Sequence, residues 1–300
     1  MKKKLLYLYY KLLEAKYLFV RLSNVLMQNI RKPLNIQNTN MTIDKLLSGE
    51  YSMSRFGDGE VGMLNGESII FQENSKELTE RLREILYDNS MPLHITGLPY
   101  SFINRSNTRY EAKVYIEKFI KNKIHIVYKY INKKKKYYDA SVTRIYADIK
   151  DRTESRGQFE KIKQIWKSKS VLIVEGPQSR LGVGNDFFKH ALSIRRIIAP
   201  ANNAFNKYNE ILREVETNWH EGDVVIIALG PTATVLAYDL ARLGIRALDM
   251  GHIDVEYEWC LMNVAYKVPL KNKVAGDDSW EPHKEINDPF YSRSIVARIL

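Results

Sequence analysis

The 300-residue sequence has a single cysteine, Cys260. One thiol cannot form an intramolecular disulfide, and it cannot build a cysteine-rich zinc site. Such sparse use of cysteine suits a reducing compartment, so we expect a cytoplasmic protein. The six histidines form no H-E-x-x-H pair, and no G-x-S-x-G segment occurs, which leaves zinc-protease and serine-hydrolase chemistry without support.

The sequence also lacks a long apolar run. Met1–Lys4 is followed by a short apolar segment, but charged residues interrupt it and no small-residue cleavage site follows. No window approaches the ~20 apolar residues that a membrane-spanning helix needs. We therefore expect neither a secretion signal nor a transmembrane segment here.

Residues 1–34 instead predict a basic amphipathic helical extension. Apolar side chains recur at helical spacing on one face, and most of the lysines lie on the other. Basic residues with interfacial tyrosines suit a peripheral contact of residues 1–32 with an anionic surface, such as the inner face of the plasma membrane. Packing against the domain, or against another subunit of a homo-oligomer, explains the same pattern equally well.

The charge of the chain is strongly positive. The formal net charge is +11 and the sequence pI is ≈ 9.4, which favours anionic partners such as nucleotide phosphates, nucleic acid or anionic lipid. With 45% hydrophobic residues, a chain of this length can bury the core of one large domain.

Apolar segments alternate with amphipathic ones from about Met41 onward. Strands are predicted at 51–56, 69–71, 93–96, 171–174, 196–199, 224–229 and 246–249. Helices are predicted at 42–47, 78–86, 111–121, 158–166, 204–215 and 232–243. Strands that are apolar on both faces and separated by helices indicate a covered parallel sheet.

We therefore predict an α/β protein with a Rossmann-like, doubly wound and mainly parallel sheet. The domain is expected to span residues 41–267, after the helical extension at 1–34 and before a C-terminal tail at 268–300. The lysine-rich segment 129–136 is expected to be a solvated helix end. Ligands of such sheets bind at the carboxyl ends of the strands, so the loops there are the places to search for chemistry.

The loop after the first strand carries two carboxylates. Asp58 and Glu60 stand two residues apart, and Gly57 and Gly59 let the backbone bring both side chains towards one point. Carboxylate oxygens of this kind suit Mg²⁺ or Mn²⁺, and Arg55 is a candidate phosphate partner. An ordinary Asp-Gly turn explains the same tripeptide.

A glycine-rich loop at 176–184 follows a later strand. It lacks the G-x-G-x-x-G spacing and has no P-loop lysine, so neither dinucleotide nor Walker-type binding is indicated there. Arg180 remains a candidate contact for a pyrophosphate or for an acceptor, and a plain glycine-rich connector is the alternative.

Two further loops begin helices. Gly230 and Thr232 stand at the start of a helix, where free amides attract phosphate; Thr232 is also a good N-cap. Asn202 and Asn203 are candidates for contacts with a base or ribose, or simply for helix capping.

The loop 249–254 places a histidine among carboxylates. His252 is a candidate general base or metal ligand. Asp254 and Glu175 are the other candidate bases, and the residue pattern does not rank the three.

Taken together, the segments 55–60, 174–186 and 228–234 resemble one family, the GT-D-type bacterial glycosyltransferases. The resemblance extends from about Tyr51 to about Trp259. It implies a GT-D fold, a nucleoside-diphosphate sugar donor that is usually a uridine one, and a divalent metal, Mn²⁺ or Mg²⁺, at the Asp-x-Glu motif, here Asp58 and Glu60. It also implies that the acceptor is a growing surface glycan on a lipid carrier or a glycoprotein.

The resemblance predicts a metal-dependent hexosyltransferase. Another Rossmann-like nucleotide-binding enzyme, such as a methyltransferase or dehydrogenase, is one alternative and would need a cofactor fingerprint. A nucleic-acid-binding protein using Lys133–Lys136 is the other, and it would bind polyanions without metal and with a steep salt dependence. We expect a nucleotide-sugar donor and a glycan acceptor, and no nucleic-acid partner.

Overall fold

The computed structural model describes residues 11, 15, 17–22, 24, 33–274 and 288–299. The helices are α1 (Thr39–Leu47), α2 (Asp58–Met63), α3 (Lys76–Tyr87), α4 (Tyr110–Tyr130), α5 (Ser155–Ile162), α6 (Tyr208–Asn218), α7 (Pro231–Arg242), α8 (Ile253–Leu261) and α9 (Pro289–Ser294). The strands are β1 (Ser52–Arg55), β2 (His94–Leu98), β3 (Tyr138–Asp139), β4 (Ser170–Glu175), β5 (Ser193–Ile198), β6 (Val224–Ala228), β7 (Ala247–Asp249) and β8 (Ile295–Arg298).

The eight strands of the described chain form one sheet in the order β3-β2-β1-β7-β6-β4-β5-β8. Every neighbouring pair is parallel. The strands at the centre are apolar on both faces, because each face is covered by helices. This confirms the predicted Rossmann-like α/β sheet.

Alternate residues of the central strands belong to different core layers. Val171 and Ile173 of β4 pack with α1, α5 and α8 on one face. Leu172 and Val174 pack with α6 and α7 on the other face. Since side chains alternate along a strand, one apolar segment supplies both layers and the sheet is doubly wound.

The chain leaves β1 and β7 towards opposite faces of the sheet. Val61 and Met63 of α2, which follows β1, are buried in one layer. Ile253 and Val255 of α8, which follows β7, are buried in the layer on the other side. Because β1 and β7 are neighbours, this is a topological switch point of the sheet, and open α/β sheets bind ligands in the crevice at such a point.

Several predicted elements differ in the structure. Residues 69–71, predicted as a strand, form a tight turn closed by a bridge between Ile69 and Gln72. Helix α4 extends nine residues beyond its predicted end at Lys121, to Tyr130. The end of the segment predicted to be solvated includes Lys135, which is 5% exposed and donates hydrogen bonds to the carbonyl oxygens of Ile85 and Leu86 and to the Thr96 hydroxyl.

The residues predicted as a C-terminal tail, 268–300, take part in the domain where the structure describes them. Strand β8 extends the sheet beside β5, and Lys273 is buried between Asp254 and Glu258. The predicted tail therefore contains residues that belong to the sheet and to the core. A four-residue edge strand and one buried lysine leave no periodic signal in the sequence, so neither could be predicted.

The described part of the N-terminal extension is helical and packs on α4. Asn24 is buried and donates to the backbone carbonyl and carboxylate of Glu117, while the Tyr17 and Tyr110 rings meet edge to face with centroids 5.7 Å apart. Of the alternatives for this segment, packing against the domain is therefore present in the structure; the other predicted residues of the extension lie outside the described ones. Within the described residues no helix is long and apolar enough to cross a membrane.

Candidate active site

The Asp58-Gly59-Glu60 segment lies at the carboxyl end of β1, where it forms the first turn of α2. Gly57 is the N-cap residue, and its backbone N–H donates to Glu60 Oε2 at 2.8 Å. Acidic side chains at a helix N-terminus are favoured by the helix dipole. The motif therefore forms an ordinary helix cap. Any further role depends on the residues around it.

The environment of Glu60 is unusual for a carboxylate. Burial, together with the negative charge of Asp249, raises its pKa to about 7, although the Gly57 amide and the Arg55 charge act in the opposite direction. Asp249 ends β7 and is itself buried, and burial also raises its pKa. Two carboxyl groups are therefore held close together in the crevice between β1 and β7, where a cation would relieve their repulsion.

Asp58 has a different environment. It is exposed, and its Oδ2 accepts a hydrogen bond from the hydroxyl of Tyr115 on α4. Tyr115 could not be predicted from the sequence, because it lies 57 positions away and a tyrosine on an amphipathic helix carries no local signal of such a role.

Arg55, predicted as a phosphate partner, binds other groups of the protein. Its Nη2 lies 2.6 Å from Asp249 Oδ1, and its Nε donates to the Asp249 carbonyl oxygen at 2.6 Å. Its Nη1 donates to the Thr143 hydroxyl at 2.7 Å. The arrangement favours Arg55 as the residue that fixes the ends of β1 and β7 relative to each other.

The glycines of the motif have the spacing of a dinucleotide-binding fingerprint, which was not predicted. Gly57, Gly59 and Gly62 match G-x-G-x-x-G directly after a strand and at the start of a helix, which is the position of a dinucleotide fingerprint. In such fingerprints the helix amides face a pyrophosphate. Here Asp58 and Glu60 occupy that first turn, so negative charge would face the phosphates unless a cation lay between them.

The turn at residues 69–72 connects three loops at the carboxyl edge of the sheet. Phe71 accepts at its carbonyl from the Asn203 backbone at 2.8 Å, and the Asn203 side chain accepts from the Glu73 backbone at 2.7 Å. Gln72 is buried, and its side-chain oxygen accepts from the Phe205 backbone at 3.1 Å. The turn also lies against the start of α2, because a Cβ on Gly59 would be 3.3 Å from the Ile69 side chain. Asn203, predicted as a donor contact, holds the turn in place, whereas Asn202 is exposed.

The start of α7 meets the same turn. Gly230 is the N-cap, with φ +52° and ψ −137°, and a Cβ at this position would lie 2.5 Å from the Phe71 ring. Thr232 is one residue inside the helix and fully buried, so its predicted capping role belongs to Gly230. The helix N-terminus nevertheless points to the edge of the sheet where Asp58 and Glu60 lie.

The structure does not place Glu175 where a general base could work. Glu175 is 0% exposed, its Oε1 pairs with Arg196 at 2.5 Å and its Oε2 accepts from the Leu181 backbone at 2.8 Å. Burial raises its pKa, against the Arg196 charge. This buried pair anchors the glycine-rich loop, and the loop's Arg180 donates to the carbonyl oxygens of Pro177 and Asn272.

Asp254 is likewise enclosed. Asn185 donates to its Oδ1 at 2.7 Å, and Lys273 pairs with its Oδ2. Because both oxygens have partners inside the protein, Asp254 cannot meet a substrate hydroxyl in this arrangement. It joins the glycine-rich loop to α8 and to the segment around Lys273.

His252 differs from the other two candidate bases. It is half-buried, stands as the N-cap residue of α8, and follows Asp249 by three positions. It therefore lies on the α8 side of the crevice, with Asp58 and Glu60 on the α2 side. Of the three candidate bases, His252 is the one whose position in the fold borders the crevice.

Comparison with known proteins identifies the family. Residues 53–277 match the family model described as the glycosyltransferase GT-D fold. The chain belongs to the GT-D glycosyltransferase family. The predicted family and fold are therefore confirmed, and the matched region extends beyond Lys267 into the predicted tail.

Solved GT-D structures agree with this chain over most of its length. One, from Streptococcus sanguinis and described as a new glycosyltransferase, is 38% identical with a TM-score of 0.83 and covers 89% of this chain and 100% of that one. Another, described as domain of unknown function 1792 with a distinct glycosyltransferase fold, is 35% identical with a TM-score of 0.84 and covers 88% and 95%.

Curated GT-D relatives are longer than this chain. It is 38% identical over 275 residues to the glycosyltransferase GlyD of Streptococcus pneumoniae serotype 4, covering 90% of this chain and 34% of that protein. It is 37% identical over 270 residues to the probable glycosyl transferase Gly of Streptococcus gordonii, covering 89% and 39%. The chain thus spans little more than a third of these relatives.

Proposed function

We propose that this GT-D chain transfers a hexose from a uridine diphosphate sugar to a hydroxyl group of a growing bacterial surface glycan, with a divalent metal at Asp58 and Glu60. The observation that carries the proposal is the position of this Asp-x-Glu pair in the first turn after β1, where Glu60 interacts with a third carboxylate, Asp249, at the end of the neighbouring strand β7. A basic chain with net charge +11 suits an anionic donor.

The two carboxylates of the motif support a divalent cation as the ligand of this site. Among the described residues no group of three or more histidine, cysteine, aspartate or glutamate side chains is arranged to hold a metal by itself. Mg²⁺ and Mn²⁺ sites that act on nucleotides commonly use one or two carboxylates and complete the shell with phosphate oxygens and water. Asp58 and Glu60 would hold the ion. Burial, and then the charge of Asp249, raise the pKa of Glu60, and a cation would neutralise this negative charge.

A divalent cation bound there would stabilise the negative charge that develops on the leaving diphosphate. The protein's own groups would do the rest. Arg55 and Asp249 join the ends of β1 and β7, and the N-terminus of α7 at the same edge of the sheet would attract the donor phosphates. His252 is the proposed base that takes the proton from the acceptor hydroxyl.

A donor screen tests the proposal directly. Purified chain is incubated with a panel of nucleoside-diphosphate sugars, with and without Mn²⁺, and released nucleoside diphosphate is measured. We expect release from a uridine diphosphate sugar that depends on Mn²⁺. No release from any donor, with no rise in melting temperature from Mn²⁺ plus any nucleoside diphosphate, would refute the donor site.

Carboxylate variants separate the metal site from general stability. Asp58→Asn and Glu60→Gln should each remove most of the melting-temperature rise caused by Mn²⁺ with uridine diphosphate. Glu80→Gln, which changes an exposed carboxylate of α3, should retain the full rise. An equal response of all three variants would contradict metal binding at the motif.

The base is tested by a different readout. His252→Asn should lower turnover by roughly 100-fold or more while leaving the melting-temperature rise with Mn²⁺ and uridine diphosphate unchanged. Loss of both properties together would mean that His252 holds the donor or the fold and does not act as the base.

The four-lysine run gives little support to the nucleic-acid alternative. Lys135 is buried within the fold, whereas Lys133, Lys134 and Lys136 are exposed. The basic side chains therefore do not form an unbroken surface stripe. Polyanion binding that needs no metal and falls steeply with salt would favour that alternative.

A further inference from the structure

The N-terminal helix presents an apolar face to solvent. Val20 and Asn24 are buried against α4, whereas Leu18, Phe19 and Leu22 are 53%, 66% and 54% exposed. Leu18 and Leu22 are one turn apart and Phe19 adjoins them, so the three form one patch. Exposing this much apolar surface on a packed helix is unfavourable unless something covers it.

Exposed basic residues lie on the two helices that form and border this patch. Lys11 and Arg21 of the same helix are exposed, as are Lys118 and Lys121 of α4. Lys121 Nζ lies 5.7 Å from the centre of the Phe19 ring, which places positive charge at the edge of the patch. The nearby Glu117 is buried and paired with Arg105, so its charge is not presented to solvent with the lysines.

We infer that the patch formed by Leu18, Phe19 and Leu22 docks on an anionic lipid bilayer. Apolar side chains enter the acyl boundary, and the neighbouring lysines and arginine meet anionic headgroups, which is how amphipathic helices bind in the plane of a membrane surface. A protein partner or a second copy would also bury the apolar residues. The positive charge beside the patch favours the lipid surface, because two copies would place like charges opposite each other.

The same helix, α4, connects the patch to the proposed active site. Tyr115 of α4 donates to Asp58, and Lys118 follows one turn later, roughly 4.5 Å along the helix axis. Docking would therefore hold the crevice close to the bilayer surface, where a lipid-linked acceptor is presented. This use of the surface rests on the proposed function, whereas docking itself does not.

Co-sedimentation with vesicles tests docking. Full-length chain is mixed with vesicles of phosphatidylglycerol and phosphatidylcholine in a one-to-two ratio, and with vesicles of phosphatidylcholine alone. We expect binding to the anionic vesicles that exceeds binding to the neutral ones by roughly tenfold or more at low ionic strength. Absence of binding, or equal binding to both vesicles, overturns the inference.

Two sets of variants locate the surface. The triple variant Leu18→Gln, Phe19→Gln, Leu22→Gln should weaken binding to anionic vesicles by about tenfold or more. The matched triple Leu192→Gln, Leu243→Gln, Leu261→Gln changes leucines that are 72%, 54% and 46% exposed elsewhere and should bind as the parent does. Equal binding of the two triples overturns the assignment of this face.

A charge-reversal pair covers the case in which the apolar triple does not fold. Arg21→Glu with Lys118→Glu should also weaken anionic-vesicle binding by roughly tenfold, whereas Lys167→Glu with Arg213→Glu, an equal change of net charge at exposed positions on other helices and loops, should not. If both pairs weaken binding equally, the attraction is to net charge and the face is not the docking site.

Two further measurements separate the alternatives. Sedimentation velocity should give the same mass for the parent and the apolar triple; a dimer that the triple dissociates assigns the patch to a second copy and overturns lipid docking. Release of uridine diphosphate in the absence of vesicles should be unchanged in the triple. Vesicle binding without any donor turnover would leave docking intact and refute only the proposed function.

Discussion

Arg55 and Asp249 join the carboxyl ends of β1 and β7 by two contacts, a 2.6 Å ion pair and a 2.6 Å hydrogen bond from Nε to the Asp249 carbonyl oxygen. The two side chains are 15% and 5% exposed. This pair fixes the width of the crevice, because each residue stands at the point where the chain leaves the sheet for an opposite face.

Removing one partner of this pair should destabilise the fold. Asp249→Asn leaves the Arg55 charge mostly enclosed without its counter-ion, and we expect a loss of about 3 kcal/mol in the free energy of unfolding. Urea denaturation measures this. Asp44→Asn, which breaks an exposed pair with Lys161, should change the free energy by less than about 1 kcal/mol; equal losses would mean that the Arg55 pair contributes nothing special.

Tyr115 should act as a positioning residue for Asp58. Tyr115→Phe removes the hydroxyl that donates to Asp58 Oδ2, and we expect the Kd for Mn²⁺, measured by calorimetry with uridine diphosphate present, to rise roughly tenfold. Tyr130→Phe, in the same helix, is the matched control and should keep the parent Kd. An unchanged Kd in Tyr115→Phe would show that this hydrogen bond does not orient the motif.

Gly230 should resist substitution for two separate reasons. Its φ of +52° suits glycine, and an added Cβ would lie 2.5 Å from the Phe71 ring, so Gly230→Ala should cost roughly 3 kcal/mol. Gly244→Ala is the control, because its φ is +78° with no atom within 4 Å, and it should cost roughly 1 kcal/mol. The difference should shrink when Phe71 is also changed to Ala; a difference that persists would rule out the clash as its cause.

Lys135 should contribute more to stability than its neighbours in the sequence. Its Nζ donates to two carbonyl oxygens at the end of α3 and to the Thr96 hydroxyl, and burial lowers its pKa to about 8. Lys135→Ala should cost about 2 kcal/mol, whereas Lys134→Ala, at an exposed position, should change the free energy of unfolding by less than about 0.5 kcal/mol. Equal values would place Lys135 in solvent.

His94 should make stability depend on pH. Burial, and then the Lys135 charge, lower its pKa from 6.5 to about 3, while Asp88 acts in the opposite direction; its Nε2 lies 2.9 Å from the Ser54 hydroxyl and its ring packs on Tyr238. Below pH 6.5 the unfolded chain binds the proton that the folded protein refuses. Stability is therefore lost as pH falls from 6.5 towards 3, by about 2 kcal/mol at pH 5.

The His94 prediction is measured by urea denaturation at pH 7 and pH 5. His94→Gln keeps a polar partner for Ser54 but does not titrate, so its loss between these pH values should be smaller by most of that amount. If parent and variant lose the same free energy, other groups account for the acid sensitivity.

Much of the fold could be predicted from the sequence because its signals are local. The central strand Val171–Val174 and the helix at 232–243 have strong apolar patterns, and both lie within two residues of their predicted ends. The position of the candidate loops at one edge of the sheet could be predicted from the parallel topology alone. Short elements left no such signal: β8 and β3 have four and two residues, and neither was predicted.

The strand-end positions of the candidate residues could be predicted from the sequence, but the contacts of their side chains could not. Asp58, Glu60 and His252 stand where the sequence placed them, at strand ends bordering one crevice. Glu175 and Asp254 look equally suitable as bases until tertiary structure places Arg196 and Lys273 against them. The role of a carboxylate depends on which cationic side chains lie beside it in space. These side chains are far away in the sequence, and the order of the strands brings them there.

The sequence by itself determined the alternation of strands and helices, the acidic turn after the first strand and the GT-D resemblance, because each depends on residues close together in the chain. Only the tertiary structure decided that the charge of Asp249 acts on Glu60, that Tyr115 donates a hydrogen bond to Asp58 and that Arg55 pairs with Asp249. Those relationships join residues 57 to 194 positions apart. Side-chain contacts at such separations are set by how the sheet orders its strands, which no local pattern records.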